Sequence, residues 1–271
     1  LVTLRGNAKT NQFVKGLVRD GIPVVDLTFN HPEIKLPRVS GDHAAFGRLA
    51  RQHFESLNFR HFAWFSTGWS HVHELRFCGY AAETRNQGSG IGDQGTERWV
   101  LEDMVGNDEI DNWRLFLKVI GRKLQSAPKP LAMLTYDDAD AAKVLSAALE
   151  AGLRVPEDIA IMGIGNDTVI CENQAVPLSS VDHDLEKNGY EGAARLNRLM
   201  SVRRNIQTFK HSNIQTVLLP PRGIVIRKST DTLAADDPLL AAALREIAKR
   251  LPTSFGVAEV AEALKVPRTR L

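Results

Sequence analysis

The 271-residue sequence has only two cysteines, Cys78 and Cys171, and their separation fits no metal-ligand spacing. Two unpaired thiols suit a reducing, cytosolic compartment. No apolar run is long enough to span a bilayer, and no segment has the form of a signal peptide. The chain opens at Leu1 rather than at a methionine, so a trimmed start is expected and a removed targeting segment stays open. Charge of one sign is also lacking: the net value is +2, so bulk charge points to neither nucleic acid nor membrane as partner. There is no internal repeat and no low-complexity tract. No nucleophile–base pair, metal cluster or phosphate-cradling loop stands out. Gly88, Gly90 and Gly92 have the wrong spacing for a dinucleotide fingerprint, and no apolar strand feeds directly into them. The remainder, 43% hydrophobic and 24% charged, is globular and long enough for two lobes or domains.

The most informative stretch is 131–167. Leu131 to Leu134 reads as a buried strand ending at Asp137 and Asp138. A helix follows, with Ala141, Val144, Leu145, Ala148 and Leu149 on one face. Gly152 stops it as a left-handed cap, and Pro156 forbids its resumption. Ile159 to Met162 is a second buried strand, closing with Gly163, Gly165, Asn166 and Asp167. Strand, helix and strand make a right-handed crossover between parallel neighbours. In such sheets ligands bind beyond the carboxyl ends of the strands, where both acidic clusters fall.

Before this unit the pattern predicts a helix tail over 1–20, a buried strand over 22–29, a proline-bounded loop from His31 to Pro37 and a short strand at 38–40. A periodic helix follows Asp42, which stands where an N-cap belongs; capping and ligand binding are both open for it. A strand at 61–65, an aromatic loop over 66–73, a helix carrying Arg76, a glycine-rich loop at 86–97 and an amphipathic helix over 110–124 come next. Trp113 is expected in the core and Asp140 on a solvated helix face. After the unit come a strand at 178–181, a helix capped by Asp184, and a basic stretch with Arg203, Arg204 and Lys210 that reads as a solvated face. Strands at 217–219 and 223–227 are split by Pro220-Pro221, a break that suits a hinge crossing. A polar linker over 229–237 and helices at 238–251 and 257–264 end the chain.

The run from Leu131 to Gly192 resembles the effector domain of lactose-repressor-type regulators, which share the periplasmic sugar-binding-protein fold. The matching pieces are the aspartate pair before Ala141, the run from Gly152 to Gly163 (GLRVPEDIAIMG), Pro177 to Val181, and Gly189 with Ala193 and Ala194. The run from Pro220 to Asp231 (PPRGIVIRKSTD) is similar to the bacterial xylose-operon regulators. These carry an arabinose-activator-type helix-turn-helix domain after the sugar-sensing domain, and Phe255 to Leu271 resembles its beginning. The resemblance implies an α/β fold of two lobes, each a doubly wound parallel sheet, with a short helical C-terminal segment. It implies a sugar-sensing domain over 1–228: lobe 1 near 1–65 and 184–217, lobe 2 near 66–183 and 218–228. A linker at 229–237 and the start of a truncated DNA-binding domain at 238–271 follow. Part of the first lobe and most of the DNA-binding domain are absent from the sequence by comparison with the family pattern.

A sugar offers hydroxyls that donate and accept, so its pocket wants carboxylates, an arginine fork and an aromatic face. By resemblance, Asp42 would hold sugar hydroxyls and Arg76 would face it from the other lobe. Asp137 and Asp138 match the polar pair after the strand, Asp138 more closely; one of the two is expected to be only a cap. Gly165 replaces the acid usual at its position, leaving Asn166 or Asp167 to substitute. Trp69 either stacks on the sugar or shields the loop; Arg76 could instead form a surface salt bridge. The expected protein is a cytoplasmic, homodimeric transcription regulator responding to D-xylose or a similar pentose, with no cofactor, no metal and no enzyme activity. Its partner is operator DNA, for which Arg268 is a candidate contact or an ordinary exposed arginine. A periplasmic sugar-binding protein and a sugar-acting enzyme are the alternatives.

Overall fold

The computed structural model describes residues 8–82, 95–106, 111–202, 215–234, 238–251 and 254–268. The expected glycine-rich loop, up to residue 94, and the basic stretch with Arg203, Arg204 and Lys210 lie outside the described residues. In chain order the elements begin with α1 (Ala8–Arg19), β1 (Arg38–Gly41), α2 (His43–Ser56), β2 (His61–Ser66), α3 (His71–Ala81), β3 (Thr96–Val100) and α4 (Leu101–Val105). Next are α5 (Trp113–Ser126), β4 (Leu131–Thr135), α6 (Asp138–Glu150), β5 (Ile159–Ile164), α7 (Thr168–Glu172) and β6 (Ser179–Asp182). Last come α8 (Leu185–Val202), β7 (Thr216–Leu219), β8 (Gly223–Val225), a 3-10 turn Lys228–Thr230, α9 (Pro238–Arg250) and α10 (Val257–Ala263).

The larger lobe is a six-stranded sheet in the order β3-β2-β4-β5-β6-β8. Its neighbours are parallel except β6 and β8. Strands β4 and β5 are buried along their whole length, as their unbroken apolar runs require. One face packs Phe65, Met133 and Ile161 against Phe116 and Ile120 of α5 and Val144 of α6. The other packs Trp64, Leu134 and Met162 against Phe46 and Phe54 of α2 and Tyr80 of α3. Helices α2 and α3 approach closely because glycines meet at their contact. A methyl group on Gly47 would overlap the carbonyl of Arg76, and one on Gly79 the carbonyl of Ala44.

The smaller lobe is built on β1 and β7, paired in parallel. Val14, Val24, Ile34 and Leu36 form one cluster there, and Val25, Val39, Leu199 and Leu219 another. Asp26 and Arg38 form a buried ion pair at 2.6 Å, and Arg38 also donates to two backbone carbonyls. Hydrogen bonding of this kind is what makes a buried charge pair tolerable.

The chain passes between the lobes three times, at 41–42, 182–184 and 219–223, and the passages are tied together. The amide of Asp42 donates to Leu219 O at 2.7 Å, and that of Arg222 to Asp182 O at 3.0 Å. The break at Pro220-Pro221 is thus a crossing, as its sequence suggests.

Four expectations are corrected. The strand His61–Ser66, assigned by sequence to the first lobe, pairs with β4 inside the six-stranded sheet, so the larger lobe begins at Asp42. The strand expected over 22–29 reduces to a single bridge between Asp26 and Arg38. Trp113 is 47% exposed and stacks on Phe116 at the surface. Asp140 is buried, accepting bonds from the amide and hydroxyl of Thr67 and pairing with Lys143.

Candidate ligand site at the lobe crossings

Arg76 organises the site. Helix α3 places it in the interior against α2, where it is 5% exposed. Its Nε donates to His43 Nδ1 at 3.3 Å, and Nη1 donates to the carbonyl of Tyr136. The guanidinium lies 4.6 Å from the Tyr136 ring centroid and 5.8 Å from that of Phe46. Among the described residues no carboxylate is within ion-pair distance of it. Desolvation therefore pushes its pKa down, with Tyr136, Asp137 and Asp138 acting in the opposite direction. A buried cation with spare N–H donors is suited to a ligand rich in oxygen.

Three histidines surround it. His43 follows Asp42 at the first crossing; because its Nδ1 accepts from Arg76, its proton belongs on Nε2, which donates to Ser40 Oγ at 3.1 Å. His183 lies in the second crossing, its ring centroid 4.8 Å from that of Phe46, and its Nε2 is buried without a hydrogen-bond partner among the described residues. His73 stacks on Tyr136 at 3.6 Å and bonds Ser70 Oγ at 2.6 Å. Burial first, then Arg76, pushes His43 down to about 2. The same two causes push His73 and His183 down to about 3. All three are neutral at pH 7. Gly41 makes this packing possible, since a side chain there would collide with Phe46 and come within 2.6 Å of His183 Nε2.

The expected acids divide. Asp42 caps α2, one oxygen accepting from the amide of Ala45 at 2.9 Å and the other standing 3.8 Å from Arg48. Asp137 is the cap of α6, accepting from Asp140 N at 2.8 Å. Burial pushes its pKa up, and Asp140 adds to this. Each keeps one carboxylate oxygen without a hydrogen bond among the described residues. Asp138 is fully engaged inside the lobe: Ser180 Oγ donates to it at 2.6 Å and the amide of Asp167 at 2.8 Å. Burial pushes its pKa up, against the pull of those two bonds. Asn166 is also tied, its amide nitrogen to Asp182 at 3.4 Å and its oxygen to Arg227 at 3.0 Å. Trp69 packs edge-on to Trp64 and Phe77, with the guanidinium of Arg98 over its ring at 4.6 Å. Its ring is thus used within the lobe.

The facing geometry expected for Asp42 and Arg76 is corrected. Both belong to the α2–α3 pair of the larger lobe, and Arg76 bonds the residue next to Asp42. Sequence reasoning missed His43, His73, His183 and Tyr136. A signal existed for two of them, since Asp42-His43 and Asp182-His183 repeat an acid–histidine pair at two crossings. Arg268 is exposed, beyond α10, at the end of the described residues.

The fold is thus a two-lobed α/β module with polar side chains gathered near its crossings. The model of the periplasmic binding protein-like domain matches residues 51–230, and the chain belongs to that family. Its relatives include the xylose operon regulatory protein of Escherichia coli K12, 27% identical over 161 residues, which are 59% of this chain and 39% of that protein. The protein of the same name from Haemophilus influenzae is 31% identical over 148 residues, 55% of this chain and 36% of that one. The chain therefore matches well under half the length of these relatives. Among solved structures, the xylose-binding transcription activator XylR superposes with a TM-score of 0.69 at 21% identity, over 96% of this chain and 66% of that one. The lac repressor dimer bound to operator and an anti-inducer gives 0.58 at 23% identity, over 84% and 62%. These likenesses establish the fold.

Proposed function

We propose that the chain is the effector-sensing part of a sugar-responsive transcription regulator, binding D-xylose or a similar pentose between its lobes. The observation that carries this reading is the set Arg76, Asp42 and Asp137: one buried guanidinium with free donors, the Asp137 carboxylate acting on it with one oxygen free of hydrogen bonds among the described residues, and Asp42 at the first crossing, its second oxygen paired only at 3.8 Å with Arg48. Together they match the alternating donors and acceptors of a pentose. The regulators among its relatives favour this class over a transporter's binding protein or an enzyme. Asp138 and Asn166 would then serve by holding the strand ends rather than by touching sugar in this conformation. Residues 229–234, expected in the linker, are instead tied to the larger lobe through Ser229, Thr230 and Ala234, so the linker begins after them, and 238–271 begin an arabinose-activator-type module in which Arg268 contacts operator DNA. The regulator acts in the cytoplasm as a homodimer. Lobe closure on the sugar favours one of two states by differential affinity and so re-spaces the DNA-reading modules. A thermal-shift panel of pentoses and hexoses tests it. A rise in melting temperature with D-xylose above all others is expected; no response to any sugar sinks the reading.

A further inference from the structure

The chain leaves the larger lobe through a deeply buried turn. Ser229 and Thr230 are at most 1% exposed. Ser229 Oγ donates to Ile161 O at 2.6 Å and accepts from Ser179 N at 2.8 Å. Thr230 Oγ1 is 2.7 Å from Ser179 Oγ and 3.4 Å from His53 Nε2, and the amide of Ala234 donates to Leu57 O. The segment leading towards the linker is thus fixed on β5, β6 and the far end of α2. Immediately before this turn stands Arg227. Its amide donates to Ser179 Oγ at 2.8 Å and its Nη1 to Leu178 O at 3.0 Å. Its Nη2 reaches Glu172 at 3.3 Å and, at 3.0 Å, the side-chain oxygen of Asn166.

Asn166 sits past the carboxyl end of β5 in the left-handed region, at φ 56. Asn is among the few non-glycine residues that adopt this conformation readily. The other end of its amide reaches Asp182, at the second crossing. One side chain therefore touches a lobe crossing on one side and the root of the linker on the other. The carboxamide oxygen has a second lone pair, so competition arises through position and not through the acceptor itself: a side chain turned towards a ligand hydroxyl carries its oxygen away from Arg227.

Resting on the reading that this site holds the effector, we propose that Arg227 couples the site to the linker by competing with the bound sugar for Asn166. Without sugar, Arg227 holds Asn166 and stiffens 227–230. Sugar entering beside the crossings draws the Asn166 amide towards itself, and Arg227 loses one of its anchors. By linkage, weakening the Arg227 bond must strengthen sugar binding.

The test measures calorimetric affinity for D-xylose, L-arabinose and D-ribose, and amide exchange across 229–234 with and without sugar. Wild type, Arg227→Met and Arg227→Lys are compared. In wild type, saturating sugar is expected to speed exchange at Ser229, Thr230 and Ala234. Arg227→Met is expected to exchange fast there already, to lose the sugar response and to bind sugar several-fold tighter. Arg227→Lys, which keeps a donor, is expected to restore the response. A purely structural arginine would give weaker binding in Arg227→Met, and that result overturns the proposal. So does wild-type protein that is saturated with sugar yet shows unchanged exchange at these amides, a measurement needing no variant. Failure of all three sugars to bind wild type overturns the site reading itself, and the coupling with it.

Discussion

At the scale of single residues, the site rests on histidines held neutral by burial and by Arg76. His43 lies at about 2, and His73 and His183 at about 3. In the unfolded chain each titrates near 6.5. Below that pH the unfolded state binds protons that the folded state refuses, so stability falls as pH falls, from about 6.5 down towards the folded values. Each such histidine contributes a slope of at most about 1.4 kcal/mol per pH unit. Urea unfolding at pH 7, 6 and 5 is expected to show progressive loss of stability, and His43→Gln is expected to flatten that slope. A wild-type stability independent of pH over this range would contradict the neutral assignment. Arg76→Met should abolish sugar binding in calorimetry, since it removes the central donor; affinity within twofold of wild type would exclude Arg76 from the site. Arg76 was singled out in the sequence because it sits in a recognisable segment, but its burial on the same lobe as Asp42 was not read there. Its histidine neighbours were not, because they come from separate segments and no local pattern marks a residue that another segment will bury.

At the scale of elements, the α2–α3 contact sets where Arg76 stands. Gly79→Ala places a methyl on the Ala44 carbonyl, forcing the helices apart. Overpacking of this kind costs about 1–3 kcal/mol, and the displacement should also weaken sugar binding. Gly121→Ala in α5 is the control: its nearest neighbours would stand 3.5 Å or more away, and replacing a mid-helix glycine should stabilise by up to about 1 kcal/mol. Denaturant midpoints of the two variants check the pair; equal midpoints would refute the close-contact argument. The elements themselves were largely legible. The β4-α6-β5 unit declares itself through unbroken apolar runs and a helical stripe. Strand β3 did not, since two of its five residues face solvent and a glycine-rich stretch precedes it. The lobe membership of β2 was misread for a different reason. Nothing in Ser40-Gly41-Asp42 distinguishes a chain crossing between lobes from an ordinary strand-to-helix turn, and only pairing with β4 decides it.

At the scale of the whole molecule, the two lobes are unequal in a way that predicts how the protein opens. Among the described residues the larger lobe has clusters of 18 and 13 buried apolar residues on its two faces, whereas the smaller lobe has two clusters of four. Burial of apolar surface is the main favourable contribution to folding, so the smaller lobe is the weaker cooperative unit. Without sugar, amides of β1 and β7 are expected to exchange faster than those of β4 and β5. A ligand held by both lobes couples the units. At a hundredfold excess over Kd it adds about 2.7 kcal/mol to whatever equilibrium destroys the site. For a chain of this size that corresponds to roughly 5–10 °C in melting temperature. The stabilisation should fall on the smaller lobe as well as the larger. Saturating D-xylose is therefore expected to slow exchange in β1 and β7 and to merge any two-step melt into one. Protection gained in β4 and β5 alone would mean that the sugar contacts only the larger lobe. Closure would then lose its energetic basis, because a ligand indifferent to the position of one lobe cannot shift the balance between open and closed forms.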